Sequence, residues 1–293
     1  MDKRVNVSCD LRYVHAYHFH CCTVRVESVV GDELTELERV YSWFADPENT
    51  RSEPSLTIRS HKNKVTFIRN GDDGSPREVV IQRGRLMPRL EREISQYLVG
   101  VLGDRLLLHA AAAGWGKHAI VLPANAGSGK STLEAGLVQR GCGYLTDELI
   151  IIHPRTNKVI PFPKALSLKE GSFALFESLG PYPTGPEHDR VWYLDPEQLR
   201  PGSVVSSPTP VGWVVLPRYE AGAKTRVEAL TVGETVLGLF ENTVNMARHK
   251  EPGLDRLIAI AKKAPGYRLV FGDLEDACDA VLELVGGNDE LRC

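Results

Sequence analysis

Through the first 87 residues the apolar positions recur mostly at every second residue. Tyr17–Val30 carries a β-branched stretch, Thr23, Val24, Val26, Val29 and Val30. Ser55–Arg69 alternates around Leu56, Ile58, Val65, Phe67 and Ile68. A period of two places side chains on one face of a strand. Asn70-Gly71-Asp72-Asp73-Gly74 is a turn signal, and a further strand is predicted at Glu78–Gln82. With a helix near Glu33–Phe44, these elements predict a small, mostly antiparallel, β-rich N-terminal module over residues 1–87.

The period changes at Pro88, a residue suited to a first helical turn because its missing N–H is not needed there. Leu90, Ile94, Leu98, Val101 and Leu102 recur at helical spacing and predict a connecting helix over residues 88–104. Two buried strands, Leu106–Ala113 and Ala119–Pro123, lead into a glycine-rich loop and an amphipathic helix over Lys130–Arg140, closed by Gly141. A strand over Tyr144–His153, a turn at Pro154–Asn157 and a short strand over Lys158–Phe162 follow. Tyr182–Pro210 is rich in Pro and Gly and reads as a long, irregular, mobile excursion. Beyond it come strands at Gly212–Pro217 and Thr225–Leu230 and helices at Gly233–Asn245 and Leu254–Ala264. A strand at Arg268–Phe271 and a helix at Asp276–Val285 close the pattern. Strands alternating with helices predict an α/β domain over residues 105–293.

Length and charge narrow the class. At 293 residues the chain has room for two domains. Hydrophobic residues make up 42% and charged residues 25%, ordinary globular usage. A net charge of −3 points to no nucleic acid and no membrane surface as partner. Apolar runs fall short of a spanning helix, and the start MDKRVNVSCD carries no apolar export segment. Six scattered cysteines without a CxxC pair read as reduced thiols, so a cytoplasmic location is predicted.

The chemistry concentrates at Ala124-Asn125-Ala126-Gly127-Ser128-Gly129-Lys130-Ser131-Thr132, behind an apolar strand and ahead of a helix. A polyphosphate needs inward-turned amides, which Gly127 and Gly129 permit. It needs a helix N-terminus, whose free N–H groups and dipole meet negative charge. Lys130 suits the β/γ oxygens and Ser131 suits Mg2+, so the segment reads as a P-loop for ATP. The first glycine of GxxxxGK[ST] is Ala124 here, which costs little if φ is negative at that position.

Asp147 and Glu148 follow closely, in Leu145-Thr146-Asp147-Glu148-Leu149. A parallel strand beside the P-loop strand would bring this pair to the phosphates, since ligands sit at the carboxyl ends of strands. On a regular strand the two side chains point to opposite faces. One can hold Mg2+ and the other can take a proton from an attacking hydroxyl; the sequence leaves open which does which. His109, in Leu106-Leu107-Leu108-His109-Ala110, is either a core histidine or part of the site.

These three pieces in this order resemble the HPr kinase/phosphorylase family and the wider set of HPr-kinase-like serine kinases. Members carry a His-containing strand, a loop of the form G-x-S-G-x-G-K-S, a short helix and an Asp-Asp pair. The resemblance covers roughly residues 105–285. It implies a P-loop kinase core of the HPr kinase/phosphoenolpyruvate carboxykinase-like type. It also implies transfer of the γ-phosphoryl of ATP, with Mg2+, to a hydroxyl, often serine, of a peptide, protein or small metabolite. By it Lys130 and Ser131 hold phosphate and Mg2+, Asp147 is base or metal carboxylate, Glu148 replaces the second Asp, and His109 matches an active-site His. It further implies a homo-oligomer. In place of the family's Arg-containing signature stands Pro161-Phe162-Pro163-Lys164-Ala165-Leu166-Ser167-Leu168-Lys169. That points away from HPr itself, toward the HPr-kinase-like proteins of modified-peptide biosynthesis.

Several other residues were weighed. Lys164 and Lys169 are either phosphate stabilisers or surface lysines, and Arg218 is a phosphate clamp or a structural ion pair. On one strand His18, His20 and Cys22 would share a face, a partial zinc set without an evident fourth ligand. Asn157-Lys158 is not a guanine signature, because Ile160 stands where an Asp is needed. Cys142 has no charge partner to activate it. The alternatives to a kinase are a P-loop ATPase and a nucleotide-binding regulatory module without phosphoryl transfer.

Overall fold

A computed structural model describes residues 13–20, 22–28, 31–48, 56–61, 64–69, 77–80, 86–180, 182–184 and 191–287. The chain forms two compact units, one of Met1–Val101 with Thr184–Asp189 and one of Leu102–Pro183 with Arg190–Cys293.

In the first unit, β1 (Tyr13–Phe19), β2 (Cys22–Ser28), β3 (Leu56–His61), β4 (Lys64–Arg69) and β5 (Arg77–Val80) form one sheet in sequence order. All neighbours are antiparallel except β2 and β3. That parallel pair needs a crossover, which α1 (Gly31–Tyr41) supplies. The inward strand residues Tyr17, Phe19, Val24, Val26, Ile58 and Phe67 are buried with Leu37, Val40, Tyr41 and Phe44. α2 (Leu86–Val101) ends the unit with Pro88 in its first turn and Leu90, Ile94 and Leu98 buried, the predicted helix.

Three expectations in this unit need correction or fall out of view. Thr23, Val24 and Val26 of the β-branched stretch lie in β2, but His18 and Cys22 are on different strands, because His20 takes a positive φ of 49° and turns the chain between β1 and β2. The zinc set therefore does not form. His18 is exposed and bonds Thr23, whereas Cys22 is buried and its thiol donates to the Phe19 carbonyl. The 70–74 turn and the end of the predicted 78–82 strand lie outside the described residues.

The second unit carries the chemistry. Its strands and helices are β6 (Leu106–Trp115), β7 (His118–Pro123), α3 (Lys130–Gln139), β8 (Gly143–Thr146), β9 (Leu149–Ile152), β10 (Val159–Ile160), β11 (Leu166–Leu168), α4 (Phe173–Phe176), β12 (Tyr182–Thr184), β13 (Val191–Leu194), α5 (Pro196–Leu199), β14 (Val211–Tyr219), β15 (Arg226–Leu230), α6 (Val232–Glu241), α7 (Met246–Ala261), β16 (Gly266–Phe271) and α8 (Leu274–Gly286). The central sheet runs β10-β9-β6-β7-β14-β16-β15, with β8 also on β6. It is mixed: β7, β14 and β16 are parallel, and the remaining pairs are antiparallel.

Alternation along these strands builds a layer on each face. Leu106, Leu108, Ala110, Val121 and Val214 pack with Leu239 of α6 and Leu257 and Ile260 of α7. Ala111, Ala113, Ile120, Leu122, Trp213 and Val215 pack with Leu133 and Leu137 of α3 and Ala277, Cys278 and Val281 of α8. Burial of each such Leu stabilises by about 2 kcal/mol.

The helix after the loop departs from its prediction. α3 is not amphipathic, because its second flank is covered too. Ala135 and Val138 pack with Tyr144, Leu166, Leu168, Phe176, Leu194 and Leu199. That cover comes from the small sheet β11-β13-β12 and its flanking helices; β12, β13 and α5 fall within the stretch read as an irregular excursion, and β11 and α4 precede it. The described part of that stretch is tied in further by bridges of Val204 to Tyr144 and Thr209 to Val159. At the other end of α3, Arg200 donates to the carbonyls of Val138, Gly141 and Cys142, capping a helix C-terminus with positive charge.

The Tyr144–His153 strand is interrupted. β8 and β9 both lie antiparallel along β6, His109 opposite Leu149 and Ala112 opposite Thr146, with a register shift between Ala112 and Ala113. Between them Glu148 adopts φ 81°. Neither strand is parallel to β7 or beside it; that place belongs to β14. Asn157, with φ 55°, turns the chain into β10 and accepts a hydrogen bond from Arg256. Among the described residues no helix is long and apolar enough to cross a membrane.

Candidate active site

β7 ends at Pro123 and α3 begins at Lys130, so the glycine-rich loop spans the carboxyl end of a central strand and a helix start. Gly127 and Gly129 have φ of 86° and 83°, values that cost an L-residue about 1–2 kcal/mol. Ala124 is not among the positive-φ residues, so alanine fits there. Gly129 is also where β14 and β16 meet the loop. A Cβ on it would lie 2.8 Å from Phe271 Cζ and 3.2 Å from Tyr219 Cβ. The Tyr219 amide donates to the Ser128 carbonyl at 3.0 Å, fixing the loop to the end of β14.

The start of α3 has no side-chain cap and no acidic residue in its first turn. Among the described residues, the amides of Ala126, Gly127, Gly129 and Lys130 donate to no backbone carbonyl. Lys130 is only 9% exposed, and no acceptor side chain pairs with it. A helix N-terminus with open amides and a desolvated cation is a strong anion receptor.

The acidic pair arrives from β8 along a different path than expected, yet it arrives. Asp147 is 1% exposed. It accepts from Ser131 Oγ at 2.8 Å and from the Ser167 amide at 3.1 Å. Its own amide donates to Tyr144 Oη at 3.0 Å, and that hydroxyl donates to the Lys164 carbonyl at 2.6 Å. Thr146 Oγ1 donates to the Leu149 carbonyl at 2.9 Å across the break. The left-handed twist at Glu148 means the two carboxylates do not point to opposite faces; both line one cleft.

Glu148, with a side chain 44% exposed, pairs with Lys164 at 3.2 Å. Lys164 is 2% exposed and also donates to Ser167 Oγ at 3.0 Å. It is therefore neither a surface lysine nor open to phosphate: it is a strut under the acidic pair. The Lys164 ammonium holds the Glu148 carboxyl below its usual range, against the opposing effect of burial. Burial, then the charge of Lys130, lowers the imidazole pKa of His109 below 6.5, so His109 is neutral at physiological pH. Glu134, one turn beyond Lys130, is wholly buried, with its carboxyl against the Ala112 backbone. Burial, reinforced by the Asp147 charge, raises its pKa well above 4.5 and keeps it protonated.

One cleft of about 590 Å³ takes in His109, Asn125 through Thr132, Asp147 and Glu148. All the predicted site residues line it except Ala124, which is buried behind the loop. It also takes in residues the sequence did not single out: Ser167, Ser172, Leu175, Tyr219, Phe271 and Leu274. Ser172 Oγ lies 2.8 Å from Thr132 Oγ1, tying the segment before α4 to the first turn of α3. Lys169 is exposed on the rim. Arg218 is not part of the lining; its side chain is 71% exposed and pairs with Glu220 at 2.9 Å. Burial pushes the Cys142 thiol up to about 12, so it is inert, as its surroundings in sequence implied.

Ser131 and Asp147 fit Mg2+. Neighbouring oxygens around an octahedral ion at about 2.05 Å are about 2.9 Å apart, close to the 2.8 Å between Ser131 Oγ and Asp147 Oδ1. Among the described residues no group of three or more His, Cys, Asp or Glu side chains has metal-binding geometry. A two-donor set suits an ion whose other ligands are phosphate and water.

The fold and cleft define an α/β protein with a mixed central sheet and a glycine-rich helix start facing an acidic pair. No family model matches the chain, and no curated protein matches it. Among solved structures it is similar to the Hpr(Ser) kinase/phosphatase from Coxiella burnetii, at 15% identity and a TM-score of 0.31, over 64% of this chain and 97% of that one.

Proposed function

We propose that the chain is an ATP-dependent kinase that transfers the γ-phosphoryl group, with Mg2+, to a serine-like hydroxyl of a peptide, protein or small metabolite. The observation that carries this reading is the meeting, in one cleft, of open helix-start amides and a buried lysine with two carboxylates in different states. Asp147 is enclosed and joined to Ser131, and Glu148 is open to the cleft.

In this reading Asn125–Thr132 is a P-loop. Its amides and Lys130 take the phosphates, and Ser131 and Asp147 hold Mg2+, which supplies charge neutralisation on the β- and γ-oxygens. Glu148 orients the acceptor hydroxyl and takes its proton as the new P–O bond forms and the bond to ADP breaks. Neutral His109 stands beside Lys130 as a hydrogen-bonding group without added positive charge. The division of labour between the acidic residues rests on exposure: both line the cleft, but Asp147 is enclosed and bonded to Ser131 and Ser167, whereas the Glu148 side chain is 44% exposed and open to an incoming hydroxyl.

The test is incubation with ATP and Mg2+ and a panel of hydroxyl-bearing peptides and metabolites, followed by mass analysis for one added phosphate. Glu148→Gln should lower transfer by about 100-fold while MgATP still binds. ATP turnover at full rate without any acceptor would make the chain an ATPase. Binding with neither turnover nor transfer would make it a regulatory module.

A further inference from the structure

The cleft is chemically two-ended. Lys130, Ser131, Asp147, Glu148, His109 and Lys169 gather at one part of its lining. The rest of the lining mixes polar side chains, Ser128, Ser172 and Asp273 among them, with apolar ones, and it includes two large hydrophobic side chains that the fold leaves in solvent: Tyr219, 49% exposed, and Leu175, 53% exposed. Tyr219 is not a loose surface ring. Its amide is bonded to the Ser128 carbonyl, and its ring sits edge-on to Phe271, centroids 5.7 Å apart at 67°. Phe271 is itself 2% exposed and in contact with Gly129. The half-exposed ring is thus built rigidly against the glycine-rich loop, and only glycine at position 129 allows the approach.

Topology points the same way. Tyr219 and Phe271 end β14 and β16, the two strands running parallel with β7. Ligands of such sheets lie beyond the carboxyl ends of parallel strands. A ligand filling both ends carries a polyanion on one side and a flat apolar body on the other, within one cleft of about 590 Å³.

We propose that the aromatic base of a nucleoside triphosphate stacks on the exposed face of Tyr219, on a ledge formed with Phe271 beside the glycine-rich loop. This rests on the phosphate-binding reading of that loop and adds the residue that distinguishes a nucleotide from bare polyphosphate. Stacking on one ring, without a set of base-edge hydrogen bonds, implies tolerance among bases: ATP, GTP and CTP should differ by less than about tenfold.

The experiment is titration calorimetry of the intact chain with MgATP and with magnesium inorganic tripolyphosphate, on wild type, Tyr219→Phe and Tyr219→Ala. The expected result is an approximately tenfold loss of MgATP affinity in Tyr219→Ala, recovery in Tyr219→Phe, and unchanged tripolyphosphate affinity in all three. Equal MgATP affinity in Tyr219→Ala and wild type would overturn the base ledge alone, as would an equal loss for both ligands. Failure of wild type to bind either ligand would overturn the loop reading, and the ledge with it.

Discussion

The two walls of the cleft are fixed in opposite ways. The loop wall, Asn125–Thr132, is held largely by shape: two positive-φ glycines and a close approach to Phe271 and Tyr219, with helix-start amides and Lys130 left without acceptors among the described residues. The acidic wall is held by bonds: Asp147 to Ser131 and Ser167, Tyr144 to Asp147 and Lys164, Lys164 to Glu148 and Ser167. The loop wall keeps its helix-start amides and Lys130 for a ligand while Ser131 and Thr132 bond Asp147 and Ser172, and the acidic wall spends most of its polar groups within the protein. A receptor for charge must leave charge uncompensated, whereas a carboxylate that positions a metal or an acceptor must already be in place.

The largest stability effect is expected where shape is violated. Gly129→Ala combines a left-handed φ with a contact at 2.8 Å on Phe271. It should cost about 3 kcal/mol in urea unfolding, strain and overpacking together. Lys164→Met comes next. Breaking a buried pair costs about 3–5 kcal/mol. Glu148 is partly solvated, with a side chain 44% exposed, so the expected loss is about 2 kcal/mol, with partial recovery in Lys164→Arg. A loss below about 0.5 kcal/mol would show that the strut carries no load. Gly127→Ala sharpens the contrast within the loop. A Cβ there meets nothing within 4 Å, so only the φ penalty of about 1 kcal/mol should appear. Equal costs at 127 and 129 would contradict the role given to Phe271.

The smallest effect is a pH slope. Glu134 in the folded protein titrates above 4.5, so the fold retains a proton that the unfolded chain loses as pH rises. Its contribution to stability is complete below 4.5 and is lost progressively as pH increases above it. Glu134→Gln should flatten that decline without changing the fold. A slope identical to wild type would mean that Glu134 is ionised or solvated.

How much was legible in the sequence follows the same division. The strand, loop and helix of residues 118–139 rest on local signals, an apolar run, glycines at fixed spacing and a closing Gly141, and they form where they were read, although α3 is covered on both flanks rather than amphipathic. The acidic pair was also visible, but its setting was not. A strand pattern over Tyr144–His153 carries no sign that Glu148 will take φ 81° or that β14, some 70 residues on, will occupy the place beside β7. Lys164 looked like any lysine in a Pro-rich stretch because its burial depends on the small sheet that covers α3. Tyr219 and Phe271 stand at strand ends brought together only by the parallel register of β14 and β16. Long-range pairing of that kind has no local periodicity to announce it.

The central claim is that the start of α3 receives a triphosphate. Its most direct test is calorimetric binding of MgATP to wild type and to Lys130→Ala, with urea unfolding of both. Lys130→Ala should lose about 100-fold in affinity, the worth of a charge-assisted contact set. Its stability should change little, since among the described residues the lysine is largely buried and makes no hydrogen bond or ion pair. Unchanged affinity in Lys130→Ala, or no MgATP binding by wild type at millimolar ligand, would contradict the account.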